Sequence, residues 1–310
     1  MPWILDQNKR RDCMTLKQQI ESYIEGIDAN FGIYIKHLGT QEEVNIQGNL
    51  LFQMASVFKV PILATLYEKV FNGEINLQER VPLNEEDYVP GSGVFQEMQY
   101  GIEPTIKDLA TMMIIVSDNL ATDKVLSIVG GANNVQERMH QMGFKDIYIH
   151  HTCWELLSLS AGIPSQPYSK ELFDEIINRL IEGDYDWNSI VFQDSTENNV
   201  SSAKDMSLLL EKIALDEFVS PDCSREIREV LFKQHFQQRI GGLLPRNKKV
   251  ANKTGSLGTM FNDTGIVYLP DNKGEFVITV YSTGSSLEYK GDEPIARISE
   301  IAYQYFMNGE

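Results

Sequence analysis

The chain has 310 residues, of which 42% are hydrophobic and 23% charged, with a formal net charge of −17 at pH 7. That length holds one large domain or two interleaved ones with a sizeable core, and the composition is ordinary for a soluble globular protein. So acidic a balance argues against nucleic acid and anionic membranes as partners, since both attract basic patches, and reads as a solvated acidic surface.

From the amino terminus, Met1 to Lys17 carries Asn8-Lys9-Arg10-Arg11-Asp12 without a signal-peptide core behind it, and no run of eighteen apolar residues occurs anywhere. A protein starting natively at Met1 is therefore expected to be cytoplasmic, whereas one secreted with its leader removed would look the same. Leu16, Ile20, Ile24 and Ile27 then recur at helical spacing behind Thr15, a suitable N-cap. Phe31-Gly32-Ile33-Tyr34-Ile35 alternates apolar residues with others, and 43–47 follows after Gly39-Thr40, which predicts a hairpin. From Val57 to about Phe236 the pattern is mostly helical, with apolar faces over 105–116, 120–129, 170–181 and 203–213. Strand character returns at 250–256, 265–269 and 276–281, and a last helix is predicted from Pro294 to Phe306. Strands at both ends with helices between make the pattern α+β.

The three cysteines, Cys13, Cys153 and Cys223, are odd in number and widely spaced, so a disulfide framework is not expected. No metal-ligand spacing joins them to the five histidines, and the adjacent His150 and His151 point apart.

Three short strings carry chemistry: Ser56-Val57-Phe58-Lys59, Ser117-Asp118-Asn119 and Lys253-Thr254-Gly255. Ser56 and Lys59 are three apart and share one helical face, so a lysine whose pKa is lowered by burial can take the serine's proton. Ser56 would also stand at a helix start, where backbone N–H groups favour developing negative charge. Alone, S-x-x-K is expected about once by chance in a chain this long. A second copy, Ser201-Ser202-Ala203-Lys204, falls after Ser56 and Ser117 and suffices as a helix cap. The other two strings are rare, and all three in this order, with Ser117 sixty-one positions after Ser56, are a strong signal.

S-x-x-K, S-D-N and K-T-G together are the signature of serine β-lactamases and penicillin-binding proteins, and the chain resembles that superfamily, class A β-lactamase-like serine hydrolases most of all. Phe52-Gln53-Met54-Ala55 before the nucleophile, Pro90-Gly91-Ser92-Gly93 and Asn262-Asp263-Thr264-Gly265-Ile266-Val267 add to the resemblance. The implied fold is a five-stranded antiparallel sheet flanked by helices with an inserted all-helical domain. Residues 1–50 and 238–310 would form the discontinuous sheet domain, 51–237 the helical domain, and the active site would lie between them.

The resemblance implies Ser56 as nucleophile, Lys59 as base, Ser117 as proton relay to the leaving nitrogen, and Lys253 as clamp for Ser117 and the substrate carboxylate. Asn119 would bond a substrate amide, Asp118 would fix its loop, and Thr254, Gly255 and Ser256 would line the substrate, with the N–H groups of Ser56 and Ser256 as oxyanion hole. Arg239 falls where some class A members help bind the carboxylate. The E-x-x-L-N pattern of the class A water-holding loop is missing. Glu155, thirty-eight positions after Ser117, is the nearest candidate, but Leu159 stands where asparagine is expected. The expected activity is β-lactam ring opening through an acyl-Ser56 intermediate. The alternatives are a D,D-peptidase, amidase or esterase of the same fold, and more remotely a non-catalytic penicillin-binding sensor. A β-lactam or D-Ala-D-Ala-like small molecule is the expected partner, with no cofactor and a monomeric state.

Overall fold

The computed structural model describes residues 14–288 and 290–309. Cys13 and the basic stretch 8–12 lie outside the described residues. Thr15 caps α1 (Leu16–Ile24), and Thr15 and Gln18 bond each other's backbone as a capping box. The predicted hairpin is β1 (Asn30–His37) with β2 (Glu43–Ile46), paired antiparallel with Tyr34 opposite Asn45. The carboxy-terminal strands are longer than the alternation alone marks: β6 (Lys249–Leu257), β7 (Met260–Tyr268) and β8 (Glu275–Thr283). All five make one sheet in the order β2-β1-β8-β7-β6, every pairing antiparallel, so the two ends of the chain build a single layer.

Period-two alternation divides that sheet's side chains between two cores. Phe31, Ile33 and Ile35 with Phe276, Ile278 and Val280 face a core shared with α1 and the final helix α10 (Asp292–Asn308). Tyr34, Ala251, Ile266, Val277 and Tyr281 face the opposite core, which continues into the helical body. There α2 (Lys59–Phe71) is buried along its length from Lys59 to Glu68, as a helix apolar on all sides must be. Around it stand α3 (Ile106–Ile115), α4 (Asn119–Ile128), α5 (Gly131–Gln141) and α6 (Cys153–Ser160). Next come α7 (Lys170–Glu182), α8 (Ala203–Ala214) and α9 (Pro221–Leu231). Helix α8 packs on the sheet: Ser207 Oγ donates to Thr279 Oγ1 at 2.7 Å.

A small second sheet, β3 (Leu51–Gln53), β5 (Val200–Ser202) and β4 (Ile147–Tyr148), ties the segment before Ser56 to the middle of the chain. It also accounts for the second S-x-x-K string. Ser202 caps α8 by accepting the Asp205 N–H at 3.1 Å, and Ser201 is buried with its hydroxyl 2.6 Å from the Tyr281 hydroxyl.

Candidate active site

The three strings meet at the buried head of α2. Ala55, immediately before Ser56, has a left-handed backbone (φ 44°), a conformation that costs energy in any residue with a Cβ. It is held by its own N–H donating to Gln53 Oε1 and by the Met54 N–H donating to Asn199 O at 2.9 Å. A 3₁₀ turn, Ala55–Phe58, then runs directly into α2, leaving Ser56 half-buried and Lys59 fully buried. Pro61 is the third residue of the helix, where a missing N–H breaks no intrahelical bond.

Lys59 Nζ donates to Ser117 O (2.6 Å), Ser117 Oγ (3.0 Å) and Asn119 Oδ1 (2.8 Å). Three acceptors match the three donors of an ammonium. Among the described residues no hydrogen bond joins Lys59 to Ser56, so the shared helical face brings the two near without bonding them. Burial pulls the Lys59 pKa below its ordinary value, while Asp118 and Asp123 pull the other way. Lys253 is lowered further, by burial and by the Lys59 charge.

Ser117, also left-handed (φ 58°), holds its hydroxyl between the two lysines: Lys253 Nζ lies 3.0 Å from Ser117 Oγ, as Lys59 does. With both oxygen lone pairs taken by N–H donors, its proton is left to point elsewhere. Asp118 fixes the loop as expected, accepting the N–H groups of Val94 (2.7 Å), Phe95 (2.9 Å) and Ala121 (2.9 Å), the last as N-cap of α4. The Pro90–Gly93 stretch is clipped to the same loop, since the Asn119 N–H donates to Ser92 O at 2.9 Å and Asn119 Nδ2 to Pro90 O at 2.8 Å. Asn119 thus has its carbonyl on Lys59 and one amide hydrogen on Pro90.

Strand β6 is the sheet edge beside this cluster. The two-residue turn Gly258-Thr259 sets Leu257 opposite Met260, and alternation then leaves the N–H and C=O groups of Thr254 and Ser256 on the free edge. Lys253 Nζ takes one of these, Thr254 O, at 2.6 Å. At Gly255 a Cβ would lie 2.7 Å from Met54 O and 2.8 Å from Ser56 N. The missing side chain lets the edge strand pack on the backbone of the nucleophile turn.

Arg239 is only 5% exposed and stands behind β6. It donates to Gly255 O and Asn262 O (both 2.6 Å), to Ser256 Oγ, and to Asp292 Oδ1 at 2.6 Å. Four of its five N–H groups are engaged, two by β6 and its Ser256 hydroxyl, one by β7 and one by Asp292, so its geometry is that of a positioning residue behind the site rather than an open carboxylate receptor.

Glu155 turns its carboxylate onto its own helix end. It is the third residue of α6, and its Oε2 accepts the Thr152 N–H at 2.8 Å while Thr152 Oγ1 accepts its own N–H at 3.1 Å, a capping box. The residue brought toward Lys59 is Cys153. Asp123 lies one turn after Asn119 on the same face of α4, and its two oxygens accept the N–H groups of Cys153 (2.7 Å) and Trp154 (2.9 Å). The Cys153 thiol is 4% exposed and close enough to couple to Lys59. Burial, then Asp123, push its pKa well up, so the thiol stays neutral. Burial raises Asp123 to about 6, against the pull of its backbone hydrogen bonds and Lys59. The sequence reading missed both residues; the i, i+4 step from Asn119 to Asp123 was the available signal.

A profile of the Beta-lactamase enzyme family matches residues 15–306. The beta-lactamase VEB-1 of Pseudomonas aeruginosa is 23% identical over 319 residues, covering 98% of this chain and 94% of its own. The crystal structure of TLA-3 extended-spectrum beta-lactamase superposes with a TM-score of 0.77 at 22% identity, over 94% of this chain and 98% of that one. A mutant of PBP-A, solved as an acyl-enzyme complex with penicillin-G, gives 0.75 at 23%, over 95% and 97%. With the fold shared along nearly the whole chain and a family match that takes in every one of the three strings, this chain belongs to the beta-lactamase enzyme family.

Proposed function

We propose that the protein opens β-lactam rings by acylating Ser56 and releases the acyl group slowly. The observation that carries the first half is the continuous relay Lys59–Ser117–Lys253 beside a strained nucleophile turn. Lys59, once neutral, takes the Ser56 Oγ proton as Oγ bonds to the lactam carbonyl carbon. The oxyanion forms against the N–H groups of Ser56 and Ser256. The C–N bond then breaks, Ser117 gives its proton to the nitrogen, and the Lys59 ammonium restores the Ser117 proton. Burial of Lys59 favours the neutral amine that starts this cycle. Lys253 attracts the substrate carboxylate, and Arg239 holds the strand that supplies Ser256.

Slow release is supported by what surrounds Lys59. Class A enzymes free the acyl group with a glutamate-held water. Here the carboxylates coupled to Lys59 include Asp118 and Asp123, each bonded to backbone N–H groups, and the thiol of Cys153 is neutral. Acyl-D-alanyl amides offer the same carboxylate and scissile amide, so the reading extends to them.

Intact mass followed over time with excess benzylpenicillin tests this. A lasting adduct, absent from Ser56→Ala, is the expected result. Rapid loss of penicillin without a lasting adduct would refute slow release and leave ring opening standing. No adduct and no loss of penicillin would overturn the reading and point to esters or other amides.

A further inference from the structure

The segment between α7 and β5 builds an aromatic cluster against the end of β6. The rings of Tyr185 and Trp187 are 5.2 Å apart, those of Trp187 and Phe192 4.7 Å, and Phe192 meets Tyr185 edge-on at 5.7 Å. The cluster seats on Gly258, the turn glycine two residues beyond Ser256. A Cβ at Gly258 would lie 2.9 Å from Trp187 Cη2 and 3.3 Å from Phe192 Cε1. The segment is also pinned on the nucleophile side, where Asp194 Oδ1 accepts the Gln53 N–H at 3.1 Å, and to α6, where the Asp186 N–H donates to Ser160 O at 2.9 Å. Although held at these points, Trp187 is 51% exposed. An indole fixed by its neighbours and left half in water offers a rigid apolar surface whose ordering cost has already been met by the fold.

Resting on the ring-opening reading above, we propose that Trp187 forms a wall of the subsite for the substrate's acyl side chain and selects aromatic acyl groups. A substrate bonded to Ser56, with its carbonyl oxygen at the Ser256 N–H, can lay its side-chain amide along the free edge of β6. The group beyond that amide then runs toward Gly258, where the Trp187 ring edge begins. A phenylacetyl-sized group covers exposed indole there, whereas a substrate with no acyl group reaches nothing.

The test compares second-order acylation rate constants, read by intact mass, for benzylpenicillin and for 6-aminopenicillanic acid, which lacks the acyl group. The parent is expected to prefer benzylpenicillin, and Trp187→Ala to lower the ratio of the two constants about tenfold, the size of discrimination an apolar pocket provides. Trp187→Phe is expected to restore most of the ratio, which separates lost ring contact from a disturbed segment. An unchanged ratio in Trp187→Ala would overturn the proposal, whether both constants fall together or neither does. If neither compound acylates the parent, the ring-opening reading fails by itself. The subsite is then tested with 5-fluorotryptophan protein: benzylpenicillin must shift the Trp187 fluorine resonance, assigned with Trp187→Phe, and 6-aminopenicillanic acid must not. Absence of that shift would overturn the subsite as well.

Discussion

Gly255→Ala is the most quantitative probe of the site, because the three atoms nearest its Cβ are all backbone of the nucleophile turn. The distances would be 2.7 Å to Met54 O, 2.8 Å to Ser56 N and 2.9 Å to Val57 N. Carbon needs roughly 3.5 Å for ordinary contact, so strand and turn must separate by about 0.8 Å at the closest point. Neither side yields freely. The turn is held by the Ala55 and Met54 N–H bonds, and the strand by Arg239 at Gly255 O and Ser256 Oγ. Overpacking of this kind costs about 1–3 kcal/mol, which leaves a protein of ordinary stability folded at 25 °C. The kinetic effect is larger, because the movement opens the gap between the N–H groups of Ser56 and Ser256. A misplacement of about 1 Å costs about a hundredfold and a lost oxyanion donor at least as much, so acylation is expected to slow about ten- to a hundredfold. Adduct formation against benzylpenicillin concentration, with urea unfolding on the same preparation, separates the two effects. Acylation within twofold of the parent would refute the idea that the strand's approach sets the oxyanion geometry.

Three further predictions concern Lys59 and the first turn of α6. The double variant Asp123→Asn/Cys153→Glu supplies a carboxylate near Lys59 while removing the one that would repel it, and is expected to shorten the acyl-enzyme lifetime at least tenfold; an unchanged adduct lifetime in a folded, acylating variant refutes this. Glu155→Gln keeps the capping-box acceptor and is expected to change neither adduct formation nor adduct lifetime by more than about twofold; a trapped adduct that the parent hydrolyses would make Glu155 the base. Asp123 titrates near 6 in the fold against a usual 3.8, so its contribution to stability is full below pH 4 and is lost as pH rises through 6. That loss amounts to about 3 kcal/mol by neutral pH. Asp123→Asn is therefore expected to flatten the fall in unfolding free energy between pH 4 and 6.5, measured in urea. The flattening is partial, because the buried Asp263 is likewise raised to about 6. An equal slope in parent and variant would show that Asp123 is not the group titrating there.

What could be read from sequence was what is local. Alternation marked β1 and β6–β8, capping residues marked α1 and α8, and the three strings marked the side chains that meet at the head of α2, because each element's periodicity is written in its own residues. Ser117 Oγ between Lys59 and Lys253 was implied by the family resemblance, without distances. The tasks of Gly255, Arg239 and Glu155 were not legible, since each depends on a partner far along the chain or on a cap whose register the sequence leaves open. A glycine in K-T-G looks the same whether it faces substrate or the Ser56 backbone; only the pairing of β6 against the nucleophile turn decides it.

Cys153 was illegible for a further reason: searched for as half of a disulfide or a metal site, it had no partner, and its meaning comes from the position it fills. Asp123 keeps a carboxylate within reach of Lys59, yet the fold turns both its oxygens onto the first N–H groups of α6, where they stabilise a helix end and leave Cys153 beside the lysine. The negative charge that helps hold Lys59 is thus separated from the free carboxylate oxygen that would draw a proton from water. Acylation as proposed does not call on that oxygen, because its proton would travel Ser56–Lys59–Ser117. Deacylation needs it. Under the ring-opening proposal, a site that ties up the oxygen in this way favours making the acyl-enzyme over breaking it, and the adduct lifetime measures how far.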